Sequence, residues 1–249
     1  MQSQHKLYHR YGKRLLDVSG ATAGLLVLAP LLLLIALVVK CSSRGPVFFR
    51  QVRVGRGGKT FKIWKFRSMI VGADSLGPSI TASGDQRITG IGKYLRRWKL
   101  DELPQLWNVV KGDMSLVGPR PELPFYVRVY TEEQRAVFSV RPGITDLAAL
   151  QYRNEEEILA SAPDRESFYR EVVLPDKLRL NLEYIRRISP RLDLALILMT
   201  LRVMPRGPMP KIGISEAHTE TASRTGGEEL PSRAKNALHA KSLHTKEGR

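Results

Sequence analysis

Asp101 and Glu102 are adjacent acids that follow a run of cations, Arg96, Arg97 and Lys99. Nearby cations hold carboxylates ionised, and the positive end of a helix adds to that field. A pair in such a setting can bind phosphate through the cations. One carboxylate can hold a metal while the other acts as a nucleophile. The plainer alternative is a helix-capping acid with surface salt bridges. Arg120 stands between two prolines in Gly118-Pro119-Arg120-Pro121-Glu122. The prolines fix the backbone around it, so the guanidinium suits docking of a phosphate or a base, or a rim ion pair. Asp113, after Lys111-Gly112, reads as a turn residue rather than a metal ligand. The five histidines, His5, His9, His218, His239 and His244, fall near the chain ends, which argues against histidine catalysis. No Ser-His-Asp arrangement and no P-loop is present. The single cysteine, Cys41, rules out a disulfide within the chain and leaves it an ordinary residue at the edge of an apolar run.

The acidic pair needs elements to hold it. Leu103, Leu106, Trp107 and Val110 recur at helical spacing and predict a helix over about residues 102–110, with Asp101 as its N-cap. Asp101, Gln105 and Asn108 then share the polar side. Residues 91–99 predict a short basic helix before it. Residues 47–67 predict a β-hairpin: two stretches rich in β-branched and aromatic residues flank Gly55-Arg56-Gly57-Gly58-Lys59. Residues 72–90 read as a loop, long enough to be functional or a lid. Helical patterns resume over 123–140, break at Arg141-Pro142-Gly143, and dominate 155–203. The last stretch, 192–203, is strongly apolar but too short to span a bilayer. It suits an interfacial element or packing against the first helix. Residues 206–249 are polar and read as a disordered tail.

Charge and hydropathy locate the partners. Of the net +16, a surplus of twelve lies in residues 1–70, where thirteen Lys and Arg face one acid, Asp17. That excess brackets residues 18–39, an uncharged apolar run. Nucleic acid, anionic lipid and phosphorylated substrates all answer such charge, and the adjacent apolar run favours the membrane. The run is too long, and ends too abruptly in Lys40, for a cleaved signal peptide. Two topologies remain: a plain span, or a helix broken at Ala29–Pro30 that enters and leaves by one face. Pro30 near the middle and basic residues on both flanks favour the second. Asp17 reads as an interfacial acid paired with Lys13 or Arg14.

The stretch from Lys99 to Glu122 (KLDELPQLWNVVKGDMSLVGPRPE) resembles the monotopic phosphoglycosyl transferases, a family of bacterial sugar transferases. Lys13-Arg14-Leu15-Leu16-Asp17, Gly45 to Gln51 and Phe61 to Met69 support the resemblance, which covers about residues 10–203. It is similar to the small single-domain branch, since only a dozen residues precede the first motif. The fold class it implies is α/β, more closely α+β and mostly helical, as a membrane-associated monotopic domain. Its parts are a basic flank with a re-entrant helix kinked at Ala29 and Pro30 (1–40), a catalytic domain at the cytoplasmic face of the inner (plasma) membrane (41–205), and the tail (206–249). The resemblance further implies two-step transfer of a sugar-1-phosphate from a nucleotide-sugar, with uridine as base, to polyprenyl (undecaprenyl) phosphate. UMP is released. Such a step starts exopolysaccharide, lipopolysaccharide or glycoprotein glycan assembly. Asp101 would be the nucleophile and Glu102 the ligand of Mg²⁺. Arg96, Arg120, Lys65 and Arg67 would contact substrate. Ala29 stands where some relatives carry Ser, so no hydroxyl serves the kink. No nucleic-acid partner is expected, and a homodimer is allowed. The competing reading is a non-enzymatic, basic, membrane-tethered nucleic-acid-binding or scaffold protein.

Overall fold

A computed structural model describes residue 8 and residues 12–77, 80–81 and 84–203. By contacts the chain divides into Met1–Gly207 and Pro208–Arg249, and every described residue belongs to the first unit. The expected tail over 206–249 and the histidines lie outside the described residues.

The architecture is mostly helical with two small sheets. Helix α1 (Lys13–Ser42) carries the apolar run. Strands β1 (Phe48–Val54) and β2 (Thr60–Phe66) form the expected antiparallel hairpin, with Phe48 opposite Phe66 and Val54 opposite Thr60. Its turn uses Gly57 and Gly58 at positive φ. Helix α2 (Gly90–Arg97) follows the loop, N-capped by Thr89. Helix α3 (Gln105–Lys111) then leads to β3 (Ser115–Val117), which pairs in parallel with β4 (Gly143–Thr145). Beyond it lie the short helices α4 (Leu147–Gln151) and α5 (Glu155–Ala160), then the longer α6 (Leu174–Arg187) and α7 (Pro190–Val203). Residues 123–140 hold only a helical turn, Pro124–Val127, and a 3-10 stretch, Gln134–Ser139, so the single helix expected there is broken up.

Helix α1 is 30 residues long and apolar enough to cross a membrane by length and composition. Pro30 lies inside it, and the residues on both sides stay helical, so the expected break at Ala29–Pro30 is not an interruption of the helix. A buried stripe runs along one side through Asp17, Ala21, Ile35 and Val39, at the spacing of one helical face. Ala21 packs with Ile63, Val109 and Met114, while Ile35 and Val39 pack with Phe66 and Leu95. Between them Leu106 of α3 lies against Gly24. Leu15, Leu16, Leu26, Val27, Leu33, Leu34 and Leu37 face outward. Both ends of α1 therefore rest on one body, and the opposite side is bare apolar surface.

Asp17 corrects its sequence reading. It is 4% exposed and accepts hydrogen bonds from Ser115 Oγ and the Leu116 N–H, both at 2.9 Å. Lys13 instead reaches Asp193, and Arg14 donates to the carbonyls of Val109 and Val110. Asp17 thus ties α1 to β3. At the other end, Arg67 is not among the acidic pair's partners. Its Nη2 donates to the Ser43 carbonyl (2.8 Å), Ser43 Oγ (2.8 Å) and the Val39 carbonyl (3.3 Å). The last carbonyls of a helix lack intrahelical donors, and Arg67 supplies them. Only Nη2 is used in this tie, and the Nε and Nη1 of Arg67 have no partner among the described residues.

Candidate active site

The acidic pair is presented by a sharp turn. After α2 the backbone reverses at Lys99, whose φ of 54° is the one positive value at a non-glycine among the described residues. A 3-10 turn, Leu100–Glu102, follows, and α3 starts only at Gln105 with Pro104 as N-cap. The expected helix start at Glu102, capped by Asp101, is therefore corrected. Proline lacks an N–H and suits a helix start, so the α-helical ladder begins beyond it. Helix α3 is covered on its polar side as well as its apolar one. Asp101 and Glu102 are buried, Gln105 and Asn108 wholly so, whereas Trp107 is half exposed. The apolar side meets α1 and the polar side meets the hairpin.

That hairpin contact is specific. Asn108 Oδ1 accepts the Trp64 N–H (3.0 Å), and its Nδ2 donates to the Lys62 carbonyl (2.9 Å). The cross-link brings Lys65 of β2 over the pair, where its Nζ lies 3.1 Å from Glu102 Oε1. Arg120 enters from the loop after β3. It bonds Glu102 through both ends of its fork: Nη1 to Oε2 at 3.1 Å, and Nη2 to Oε1. The fork is fixed by the chain crossing beneath it. A side chain at Gly118 would meet the Arg141 carbonyl, and one at Gly143 the Gly118 backbone, at 2.5 and 2.1 Å. Only glycine at both positions lets β3 and β4 approach this closely.

The sequence-predicted residues Asp101, Glu102, Lys65 and Arg120 thus converge. Arg96 is held next to them by Glu156 of α5 and keeps its Nε without a partner among the described residues. Asp113 sits aside, paired with Lys111 and within 3.3 Å of Asn108 Nδ2. Sequence reasoning assigned no role to a second layer behind Arg120. There Asp146 caps α4, and Lys177 of α6 bonds Glu155. Asp146 is wholly buried with Oδ2 unpartnered, and Asn181, one turn beyond Lys177, is buried with Oδ1 unpartnered among the described residues. A lone Asp after Gly-Ile-Thr carried no signal beyond a cap.

The electrostatics separate the two acids. Burial pushes Glu102 upward, but the Arg120 and Lys65 charges outweigh it and hold the carboxyl well below the usual range. Burial also acts on Asp101, and the neighbouring Glu102 charge adds to it. Together they exceed the pull of Lys65, Arg96 and Lys99 and raise its pKa. The expected pull of the cations prevails at Glu102 and is outweighed at Asp101, whose shift is upward. Lys65 is lowered by burial, against the Glu102 charge. Glu102 is the ionised partner of the cations. Asp101, with Oδ1 unpartnered, is the carboxyl left for chemistry.

A buried carboxyl with Lys65, Arg96 and Arg120 close by has the charges that phosphoryl groups bind, and it shares a body with an apolar helix long enough to cross a membrane. The family model described as bacterial sugar transferase matches residues 8–207, and the chain belongs to that family. Curated relatives include an undecaprenyl-phosphate glucose phosphotransferase of Komagataeibacter xylinus, 41% identical over 197 residues, which are 76% of this chain and 35% of the relative. An Aeromonas hydrophila UDP-N-acetylgalactosamine-undecaprenyl-phosphate N-acetylgalactosaminephosphotransferase is 36% identical over 200 residues, 78% of this chain and 44% of the relative. A Caulobacter vibrioides UDP-glucose:undecaprenyl-phosphate glucose-1-phosphate transferase is 41% identical over 194 residues, 76% of this chain and 68% of the relative. The chain thus spans under half the length of the first two.

Proposed function

We propose that this chain transfers a sugar-1-phosphate from a UDP-sugar to undecaprenyl phosphate and so starts assembly of a bacterial glycan such as an exopolysaccharide, lipopolysaccharide or glycoprotein glycan. The observation that carries this reading is the buried Asp101, free at Oδ1, against a wall of Lys65, Arg96 and Arg120. Three of the relatives named above act on undecaprenyl phosphate by their names, and two of those names specify UDP-sugars. In the first step Asp101 attacks the phosphorus that bears the sugar. The bond to the bridging oxygen breaks, and UMP leaves with that oxygen. In the second step an oxygen of undecaprenyl phosphate attacks the same phosphorus and returns Asp101 to a free carboxylate. The fixed cations offset charge on the phosphoryl oxygens as it develops.

Magnesium fits this site in one mode. Among the described residues no group of three His, Cys, Asp or Glu could form a cage. Mg²⁺ commonly takes one or two carboxylates and completes its shell with substrate phosphate and water. Glu102, with Asp101 beside it, supplies that donor set, so Glu102 would hold the ion in exchange for part of its contact with Arg120 and Lys65. When bound, Mg²⁺ screens the diphosphate. Arg120 is then placed to meet the nucleotide.

The bilayer reading rests on α1. Both of its ends dock on the body that carries Asp101, and its far side is bare and apolar. A helix that crossed the bilayer would separate its ends by about 30 Å of hydrocarbon. A re-entrant α1 keeps the basic flanks and the active site on one face. We assign that face to the cytoplasm, on the inner membrane, by the excess of Lys and Arg there.

The test is UMP release by membrane-extracted protein given UDP-glucose or UDP-N-acetylgalactosamine, undecaprenyl phosphate and Mg²⁺. Wild type should release UMP with one donor, and Asp101→Asn should release none while staying membrane-bound. Turnover by Asp101→Asn would reject the nucleophile. Absence of UMP with either donor, together with salt-sensitive nucleic-acid binding, would favour a scaffold.

A further inference from the structure

Gln105 is a buried polar side chain, four residues along the chain from Asp101, that the reaction above leaves unused. It lies three residues after Glu102 on a backbone whose N–H groups of Glu102, Leu103, Leu106 and Trp107 bond three residues back, so Gln105 falls on the side of Glu102, the acid adjoining Asp101. It is wholly buried, yet neither its Oε1 nor its Nε2 has a hydrogen-bond partner among the described residues. Asn108, three residues on, shows where this side looks. Its carboxamide is used at both ends, by the Trp64 N–H and the Lys62 carbonyl of β2. Glu102, three residues before Gln105, meets Lys65 of the same strand. Gln105 therefore sits between two cross-links to β2 and is itself uncommitted. Buried amides are nearly always paired, and leaving one unpaired is costly. The neighbouring Asn108 shows that the fold can satisfy a carboxamide here. Two further unpartnered atoms belong to the acidic pair's surroundings, Asp101 Oδ1 and the Nε of Arg96, whose charge acts on Asp101. The donors among them, Arg96 Nε–H and Gln105 Nε2–H, suit the non-bridging oxygens of a phosphoryl group, while Asp101 Oδ1 is the atom that attacks phosphorus.

We propose that Gln105 is a catalytic residue whose Nε2–H donates to a non-bridging oxygen of the phosphoryl group that Asp101 attacks. This role rests on the reading of Asp101 as nucleophile. As the Asp101 oxygen bonds to phosphorus, the bond to the bridging oxygen breaks and its electron pair leaves with the nucleoside monophosphate. The charge that the carboxylate brings leaves on the nucleoside monophosphate, which departs as a dianion, and no proton is transferred. The charge gathering on the non-bridging oxygens meets a neutral donor already held in a dry site, where such donors act most strongly. Lys65 and Arg120 are tied to Glu102, so an uncommitted donor complements them.

Gln105→Met keeps the length and removes the amide. Gln105→Asn keeps the amide and withdraws it by one methylene. Each full-length variant is mixed with UDP-glucose or UDP-N-acetylgalactosamine and Mg²⁺, without undecaprenyl phosphate. Intact mass follows the protein–phosphosugar adduct, and thermal melting gives the folded fraction. The expected result is an adduct rate per folded protein lower by about 100-fold in both variants, the loss typical of one oxyanion donor. The Tm of Gln105→Met should be unchanged or higher, because an unpaired buried amide is gone. Folded Gln105→Met that forms adduct at the wild-type rate would overturn the role. So would a loss wholly accounted for by unfolding, which would make Gln105 structural. Wild type that forms no adduct would refute the aspartyl reading and this role with it. A reactive wild type beside an equally reactive Gln105→Met would refute the role of Gln105 alone.

Discussion

Asp101 and Glu102 are neighbours in the chain and opposites in their surroundings. Glu102 receives Lys65 and both arms of Arg120, and their charges override its burial. Asp101 receives burial and the charge of Glu102, and its pKa rises. A nucleophile must be ionised, so adduct formation should fall as pH drops through the raised value of Asp101. In Glu102→Gln the neighbouring charge is gone, and that acid limb should move to lower pH; a limb left in place would show that another group controls it. The same shift bears on stability. A carboxyl with a raised pKa in the folded state binds protons preferentially there. Its penalty is absent at and below the unfolded value of 3.8 and grows as pH rises through the folded one. Asp101→Asn should therefore melt higher than wild type at neutral pH, by about 2–4 °C for each kcal/mol recovered, and the gap should close in acid. For Arg120, a lysine cannot span both oxygens of Glu102, and Arg120→Lys should lower turnover by roughly 10- to 100-fold while the fold persists. These distinctions were beyond the sequence. It placed the cations near the pair but not which acid they would choose.

At the scale of elements, the ties that hold α1 to the body are few and polar. Asp17 is the clearest. Asp17→Ala would leave the Leu116 N–H without its acceptor, while Ser115 Oγ keeps the Val117 carbonyl, a loss of about 2 kcal/mol that thermal melting would read. Asp17→Asn keeps an acceptor oxygen and should lose less. The hairpin, α2 and the helices after residue 155 were legible because alternation, glycine turns and helical periodicity are local signals. The start of α3 was not. Asp101 has the chemistry of a cap, but the left-handed Lys99 and Pro104 turn the chain so that the carboxyl is buried instead. Periodicity did place Asp101, Gln105 and Asn108 on one side. It could not tell that this side would be buried and that Trp107 would face out, since a pattern defines faces and not what covers them. The tie of Arg67 to the end of α1 was not legible for a related reason: a basic residue in a motif looks the same when it binds helix carbonyls.

At the scale of the whole molecule, two topologies for α1 follow from its charge and hydropathy, and the re-entrant one is the one proposed above. A helix whose first and last turns both rest on the Asp101 body is suited to one face of a bilayer. Cys41 near its end is exposed and is the only cysteine. In cells, an impermeant thiol reagent should miss Cys41 from outside, and should also miss Ser3→Cys in a Cys41→Ser background. In inverted vesicles both should react. Opposite behaviour of the two sites would make α1 a span. The central claim concerns Asp101 itself. Its most direct test is the intact mass of wild-type protein held with its UDP-sugar and Mg²⁺ in the absence of undecaprenyl phosphate. The account predicts UMP in amounts matching the protein, a mass gain of one sugar phosphate mapped to Asp101, and loss of both in Asp101→Asn. UMP that appears only when undecaprenyl phosphate is added, with no adduct at any time, would contradict it and point to direct transfer between the two substrates.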